Sequence, residues 1–136
     1  ASDETGPWMT NFLAAQTEAT KTGRRMLVLF TGSDWCPPCI RFEQDVAHNA
    51  DFLAKTQTDL VLVKLDYPRK HPQPSDVKES LEKLRQAYGV AAYPTLLIVS
   101  ADGTKALRVD TTHPRESKTP ADYFVQAIDE ARQKPF

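Results

Sequence analysis

An α/β fold, with a mixed central sheet of about four strands flanked by helices on both faces, is predicted by three features of the 136-residue sequence. Short, near-continuous apolar runs alternate with longer stretches in which apolar residues recur every three or four positions. A turn at Ala101-Asp102-Gly103-Thr104 joins the last two runs as a hairpin, adding an antiparallel pair to the sheet. The composition, 40% hydrophobic and 26% charged, is that of an ordinary globular domain. A chain of this length buries roughly 68% of its unfolded surface, so its core needs neither disulfide nor metal.

The first helix is read from Pro7 to Gly23, with Trp8, Phe12, Ala15 and Ala19 on one face, proline in the first turn and glycine at the end. Met26-Leu27-Val28-Leu29-Phe30 and Leu60-Val61-Leu62-Val63 are too short for good helices and read as buried strands. Between them, a helix beginning near Pro38 turns Cys39, Phe42, Glu43 and Val46 inward and leaves Ile40 off that stripe. Val77, Leu81, Leu84 and Tyr88 mark the next helix, which Gly89 stops. Thr95 to Val99 and Lys105 to Val109 are the hairpin strands. Thr119-Pro120-Ala121-Asp122 starts the last helix, whose buried stripe is Tyr123, Ala127, Ile128 and Ala131. Two polar, proline-bearing stretches, Tyr67 to Ser75 and Asp110 to Lys118, read as surface loops whose charges are solvated. No repeat or linker divides the chain, so one domain is expected over residues 1–136: a helical segment 1–25, a core region 26–110, and a loop with the final helix, 111–136.

A formal net charge of −1 provides no basic field for nucleic acid, and no apolar run approaches a membrane span of about 20 residues. The acidic start Ala1-Ser2-Asp3-Glu4 lacks a signal peptide's pattern, and the first Met is Met9, which suits either a mature exported protein or a trimmed chain.

The chemistry concentrates at Cys36-Pro37-Pro38-Cys39, placed after the first strand where the following helix begins. Unpaired amides and the helix dipole favour a thiolate at Cys36, while Cys39 lies inside the first turn and is shielded. Position therefore separates the roles: Cys36 as exposed nucleophile on a substrate disulfide, Cys39 as the thiol that resolves the mixed disulfide. A purely structural bond across so short a loop contributes only about 2 kcal/mol, against about 4.7 for a loop of 100 residues. Zinc would need further ligands, yet there is no second C-x-x-C and His48, His71 and His113 are scattered.

The segment Phe30-Thr31-Gly32-Ser33-Asp34-Trp35-Cys36-Pro37-Pro38-Cys39 resembles the active-site segment of the thioredoxin superfamily. Val63-Lys64-Leu65-Asp66 is similar to the strand that follows the active-site helix there, and Tyr88 to Leu97 to the segment carrying that family's cis-proline. The resemblance spans Met26 to Asp110 and implies a thioredoxin fold, a cis bond before Pro94, and exchange of dithiol for disulfide on protein or peptide substrates. It implies no dissociable cofactor, only the Cys36–Cys39 pair. Proline at the groove presents no amide proton, while the backbone of Tyr93 beside it can pair with an extended substrate chain. Trp35, Ile40, Tyr93, Pro94 and Thr95 are the expected substrate-binding residues, Ile40 being open to the alternative of a single exposed isoleucine.

Two departures bear on mechanism. Thioredoxins carry a buried aspartate six residues before the first cysteine, where this chain has Phe30. Glu43, one helical turn beyond Cys39, is the substitute, an arrangement resembling the C-terminal domain of the bacterial inner-membrane electron transporter. Buried there, Glu43 would exchange protons with Cys39, with Lys64 as its nearby cation; otherwise the two are a solvated acid and an edge-strand lysine. Asp34 reads as a solvated loop acid. Oxidants and isomerases of the superfamily place His between the cysteines, and this chain has Pro-Pro, which favours a reductase or electron relay over an oxidase, isomerase or passive binding module. The longer Tyr67 to Ser75 loop and the absence of small residues in Asp110 to Lys118 leave the partner open. The expected setting is a monomer exported to a bacterial periplasm, or else cytoplasmic, served by an upstream electron donor.

Overall fold

A computed structural model describes residues 7–111 and 119–136. The order of elements is α1 (Phe12–Thr22), β1 (Arg25–Thr31), α2 (Pro37–Phe42), a π-helical turn (Glu43–Ala47), α3 (Ala50–Thr56), β2 (Leu60–Asp66), α4 (Ser75–Ala87), β3 (Thr95–Val99), β4 (Ala106–Val109) and α5 (Pro120–Arg132). The four strands lie in the order β2-β1-β3-β4. Strands β1 and β2 are parallel, with Leu29 opposite Lys64, while β3 runs antiparallel to both β1 and β4. This is the mixed sheet that the alternation of short apolar runs and a closing hairpin predicts.

Alternation along each strand sends side chains to two cores. Leu27, Leu29, Leu60, Leu62, Leu96 and Ile98 pack with Phe42, Phe52 and the buried stripe of α5. Val28, Phe30, Val61, Val63, Leu65 and Leu97 pack with Phe12, Ala15 and Ala19 of α1 and with Leu81 of α4. Phe30 is fully buried and stacks on Tyr67, so the position where thioredoxins keep an acid is filled here by apolar packing.

The first helix is shorter than the sequence predicts. Asn11 caps it by accepting a hydrogen bond from the Ala14 amide, and Gly23, at φ 68°, ends it in the left-handed region where a side chain is disfavoured. Residues before Asn11 do something else. Met9 forms a parallel bridge to Val63, its N–H donating to Leu62 O at 2.8 Å and its carbonyl accepting from Lys64 N at 2.7 Å. Trp8 is thereby carried into the opposite core from Phe12, fully buried, with Nε1 donating to Ala47 O at 2.8 Å. Its four-residue spacing from Phe12 is thus not a shared helical face.

Two further differences matter for the site. The helix after Cys36 does not run on as one regular α-helix: it changes to the π turn at Glu43 and restarts as α3, capped by Asn49 and anchored by Phe52. On α4 the expected stripe is narrower, since Leu81 is buried, Leu84 and Tyr88 are half-buried and Val77 is exposed. Of the Asp110 to Lys118 loop, residues 112–118 lie outside the described residues, as does the acidic start, 1–6. Helix α5 begins as expected, Thr119 accepting from Asp122 N.

Candidate functional site

The carboxyl end of β1 turns into α2 through a tight bend in which Gly32 O accepts from Cys36 N at 3.0 Å. Cys36 then caps α2, its Sγ accepting from the Cys39 amide at 3.4 Å, and Pro37 and Pro38 occupy the two positions whose amides would otherwise lack partners. Cys36 and Cys39 are joined as a disulfide, with Cα atoms 5.2 Å apart. Cys39 is fully buried, in keeping with its expected shielding. Cys36, expected to be exposed, is only 4% exposed. Its Sγ lies 3.7 Å from the carbonyl oxygen of Tyr93, and the Tyr93–Pro94 peptide bond is cis.

Trp35 joins this wall. Its indole stands edge-to-face against Tyr93, with ring centroids 5.6 Å apart, and Nε1 donates to Tyr67 O at 2.7 Å. Tyr67 packs against Tyr93 in turn, 5.3 Å between centroids, and its hydroxyl donates to Leu81 O. Burial holds the Tyr67 phenol well above its usual range, with Tyr93 adding to the shift, so it stays a neutral hydrogen-bond donor. Ile40 is half-buried on the turn after Cys36, its N–H bonded to Cys36 O. Thr95 is buried and its Oγ1 donates to Ala92 O at 2.7 Å, so this side chain braces the bend at Pro94 instead of facing a groove.

Gly32 is a residue the sequence reading passes over. A Cβ there would lie 2.4 Å from Cε2 of Trp35, so the indole packs directly on the backbone of the bend. Because Tyr67 O, Tyr93 and a cation hold that indole in place, Gly32→Ala should cost about 2 kcal/mol by overpacking. It should also shift tryptophan emission to the red; unchanged urea stability and emission would mean that the ring swings aside freely.

One turn beyond Cys39, Glu43 meets Lys64 of β2. Lys64 Nζ donates to Glu43 Oε1 at 2.5 Å, and the two side chains are 14% and 16% exposed respectively. Glu43 opens the π turn, its N–H bonding back to Cys39 O and Ile40 O, which ties it to the buried cysteine. Glu43 is thus not the solvated acid that the sequence left as an alternative, while Lys64 does stand on the border strand β2, with its ammonium turned onto Glu43.

Asp34 is the clearest correction. It is not a solvated loop acid: its side chain is 9% exposed and organises the loop after β2. Its carboxylate accepts from the amides of Arg69 and Lys70, each at 2.9 Å, and pairs with His71 Nδ1 at 2.7 Å. Burial works against ionisation, but the Arg69 amide, the His71 ring and the Lys70 amide together bring its pKa down to about 2. The shift is downward, so the anchor is complete above the ordinary value of 3.8 and is lost as pH falls toward 2. Asp66 makes a second tie, accepting from Ser33 N at 2.9 Å and Ser33 Oγ at 2.6 Å. The outcome is that Arg69 lies over the Trp35 ring, its guanidinium carbon 3.6 Å from the centroid. These partners are 33 to 37 residues apart in sequence, and only the Gly before Ser-Asp-Trp-Cys hints at the close packing.

Comparison with known proteins places this geometry. The model of a thioredoxin-like domain family matches residues 12–127. The chain belongs to the thioredoxin-like family. Its disulfide joins Cys36 and Cys39 where β1 turns into α2. A curated relative, the disulfide bond reductase DsbH of Chlamydia pneumoniae, is 26% identical over 99 residues, 73% of this chain, and the chain spans 60% of that relative's length. The solved structure of a DsbH oxidoreductase superposes with a TM-score of 0.78 at 24% identity, covering 93% of this chain and 85% of that one. The oxidised C-terminal domain of Neisseria meningitidis DsbD gives a TM-score of 0.65 at 15% identity, covering 92% of this chain and 99% of that domain. Both confirm the thioredoxin fold that the motifs imply. No helix among the described residues is long and apolar enough to cross a membrane.

Proposed function

We propose that this thioredoxin-like domain is a reductase of protein disulfides, and that the observation carrying it is the Cys36 Sγ that caps α2 and faces the Tyr93 carbonyl beside Pro94. In the reduced form Cys36 is the thiolate, stabilised by the Cys39 amide at its sulfur. It attacks one sulfur of a client disulfide, forming a Cys36–client bond and expelling the other client sulfur as a thiolate. An extended client segment pairs with the backbone at Tyr93, with Trp35, Ile40 and Pro94 bordering it.

Cys39 then completes the reaction. Glu43 accepts its proton, and the Cys39 thiolate attacks Cys36 Sγ, releasing the second client thiol and leaving the Cys36–Cys39 disulfide. Lys64 is a positioning residue that holds Glu43 in place. Two electrons pass to the client, and an upstream dithiol donor restores them; no dissociable cofactor takes part. The reductive direction is supported by the Pro-Pro dipeptide, which lacks the cation that favours the thiolate in oxidants, and by the name of the DsbH relative. Export to a bacterial periplasm and action as a monomer complete the reading, supported by the likeness of the Trp-Cys segment and Glu43 to exported thioredoxin-like proteins.

The test is a reduction potential against glutathione combined with trapping. A potential near −270 mV is expected, and one near the −120 mV of strong oxidants would reverse the direction. Cys39→Ser should accumulate client proteins disulfide-linked through Cys36, and the further change Cys36→Ser should remove every adduct. No adduct, together with no reduction of insulin disulfides by the unchanged protein, would instead support a binding module.

A further inference from the structure

We infer that the loop after β2 forms a fixed cationic edge of the substrate groove, and that it selects client disulfides flanked by acidic residues. The inference rests on the redox reading above and adds a substrate class to it. Arg69, Lys70 and His71 are consecutive and exposed, yet the segment that carries them is not a loose surface loop. Asp34 holds the amides of Arg69 and Lys70 and the His71 ring, and Asp34 is itself next to Trp35 and two residues from Cys36. The position of the cations relative to the disulfide is thus set by backbone hydrogen bonds.

Arg69 shows the consequence. Its guanidinium covers the Trp35 ring at 3.6 Å, and Trp35 in turn touches Tyr93, whose carbonyl faces Cys36 Sγ. A cation stacked this way keeps its N–H edges available for carboxylates, because the flat face and not the edge meets the ring. Among the described residues no carboxylate lies within 4 Å of the Arg69 guanidinium or the Lys70 ammonium. The nearby acids are already engaged, Asp34 with the loop and Asp66 with Ser33. In a chain of net charge −1, Arg69 and Lys70 hold their charges out at the surface, whereas Asp34, 9% exposed, and Asp66 are turned onto the loop and Ser33, so a client meets the cations rather than the carboxylates. The small extent of this cationic edge and its place along an extended-chain groove fit acidic side chains of a client peptide.

The experiment uses two peptides of identical length, each closed by one disulfide, with Glu on both sides of the cysteines in one and Lys in the other. The reduced protein transfers two electrons and two protons to the peptide, giving a peptide dithiol and the Cys36–Cys39 disulfide, and the second-order rate is followed for each. At about 0.01 M salt, where the Debye length is about 30 Å, the Glu peptide should react about 10-fold faster. At 1 M salt, with a Debye length of about 3 Å, the ratio should approach one. Arg69→Glu with Lys70→Glu should bring the low-salt ratio below one, and Arg69→Gln with Lys70→Gln should bring it near one. Because the ratio is read within each variant, loss of active protein cancels. Equal rates at low salt, or a preference that survives high salt or both double variants, would overturn the inference while leaving the redox reading intact. Failure to reduce either peptide would overturn both.

Discussion

Replacing Trp8 by alanine should destabilise the protein by about 4 kcal/mol, among the largest losses available to a single core substitution. Trp8 is fully buried among Phe42, Phe52, Leu62 and the α5 stripe, so truncation removes its apolar contacts and leaves a cavity that these neighbours fill only in part. The change also strips Ala47 O of the indole N–H that reaches it at 2.8 Å. Trp8→Phe keeps most of the volume and loses chiefly that bond, so about half the penalty is expected. Urea unfolding followed by far-ultraviolet circular dichroism reads both. A loss below about 1 kcal/mol for alanine would mean that the segment before α1 is not anchored by this ring.

The largest kinetic effect outside the cysteines is expected at Glu43. Glu43→Gln should slow resolution of the Cys36–client mixed disulfide about 100-fold, the lower bound for loss of a positioned proton acceptor, while the first attack by Cys36 keeps its rate. The amide still reaches Lys64 Nζ, so the fold persists, but a largely buried ammonium loses its counter-charge at a cost of about 1–2 kcal/mol. The pH profile separates a proton acceptor from a mere packing residue. Without Glu43, the resolving rate should climb about tenfold per pH unit from 6 to 9, as solvent base takes over the Cys39 proton; with Glu43 it should be flatter. Glu43→Asp should restore part of the rate, and Lys64→Met should slow the same step less than Glu43→Gln. Identical profiles for the unchanged protein and Glu43→Gln would remove Glu43 from the mechanism.

What could be seen in the sequence was what depends on local spacing. The C-x-x-C after an apolar strand, the hairpin turn at Asp102-Gly103 and the Thr119-Pro120 helix start are each written within a few residues, and each is where the structure has it. Glu43 was reachable because one helical turn separates it from Cys39. Periodicity misled where two unrelated contacts share a helical interval. Trp8 and Phe12 are four apart, yet the bridge at Met9 sends them to opposite faces of the sheet. The π turn over Glu43–Ala47 has no signature in the sequence, where the apolar spacing reads straight through it as one α-helix. Least legible was the assembly of Asp34, Trp35 and Arg69, because residues that read as solvated loop charges become partners only when β1 and β2 lie side by side.

The bridge at Met9 has a bearing on how the protein behaves in a crowd. Strand β2 is the border of the sheet, and an uncovered border of seven residues, most of them apolar, is a template onto which another chain can add. The Leu62 carbonyl and Lys64 amide that such a neighbour would use are already taken by Met9, and the Trp8 ring pins that cover in place. The other border, β4, is four residues long and carries an exposed Arg108. Loosening Trp8 therefore does more than soften a core: it uncovers the border of the sheet and opens Leu62 O and Lys64 N to edge-to-edge pairing with another chain.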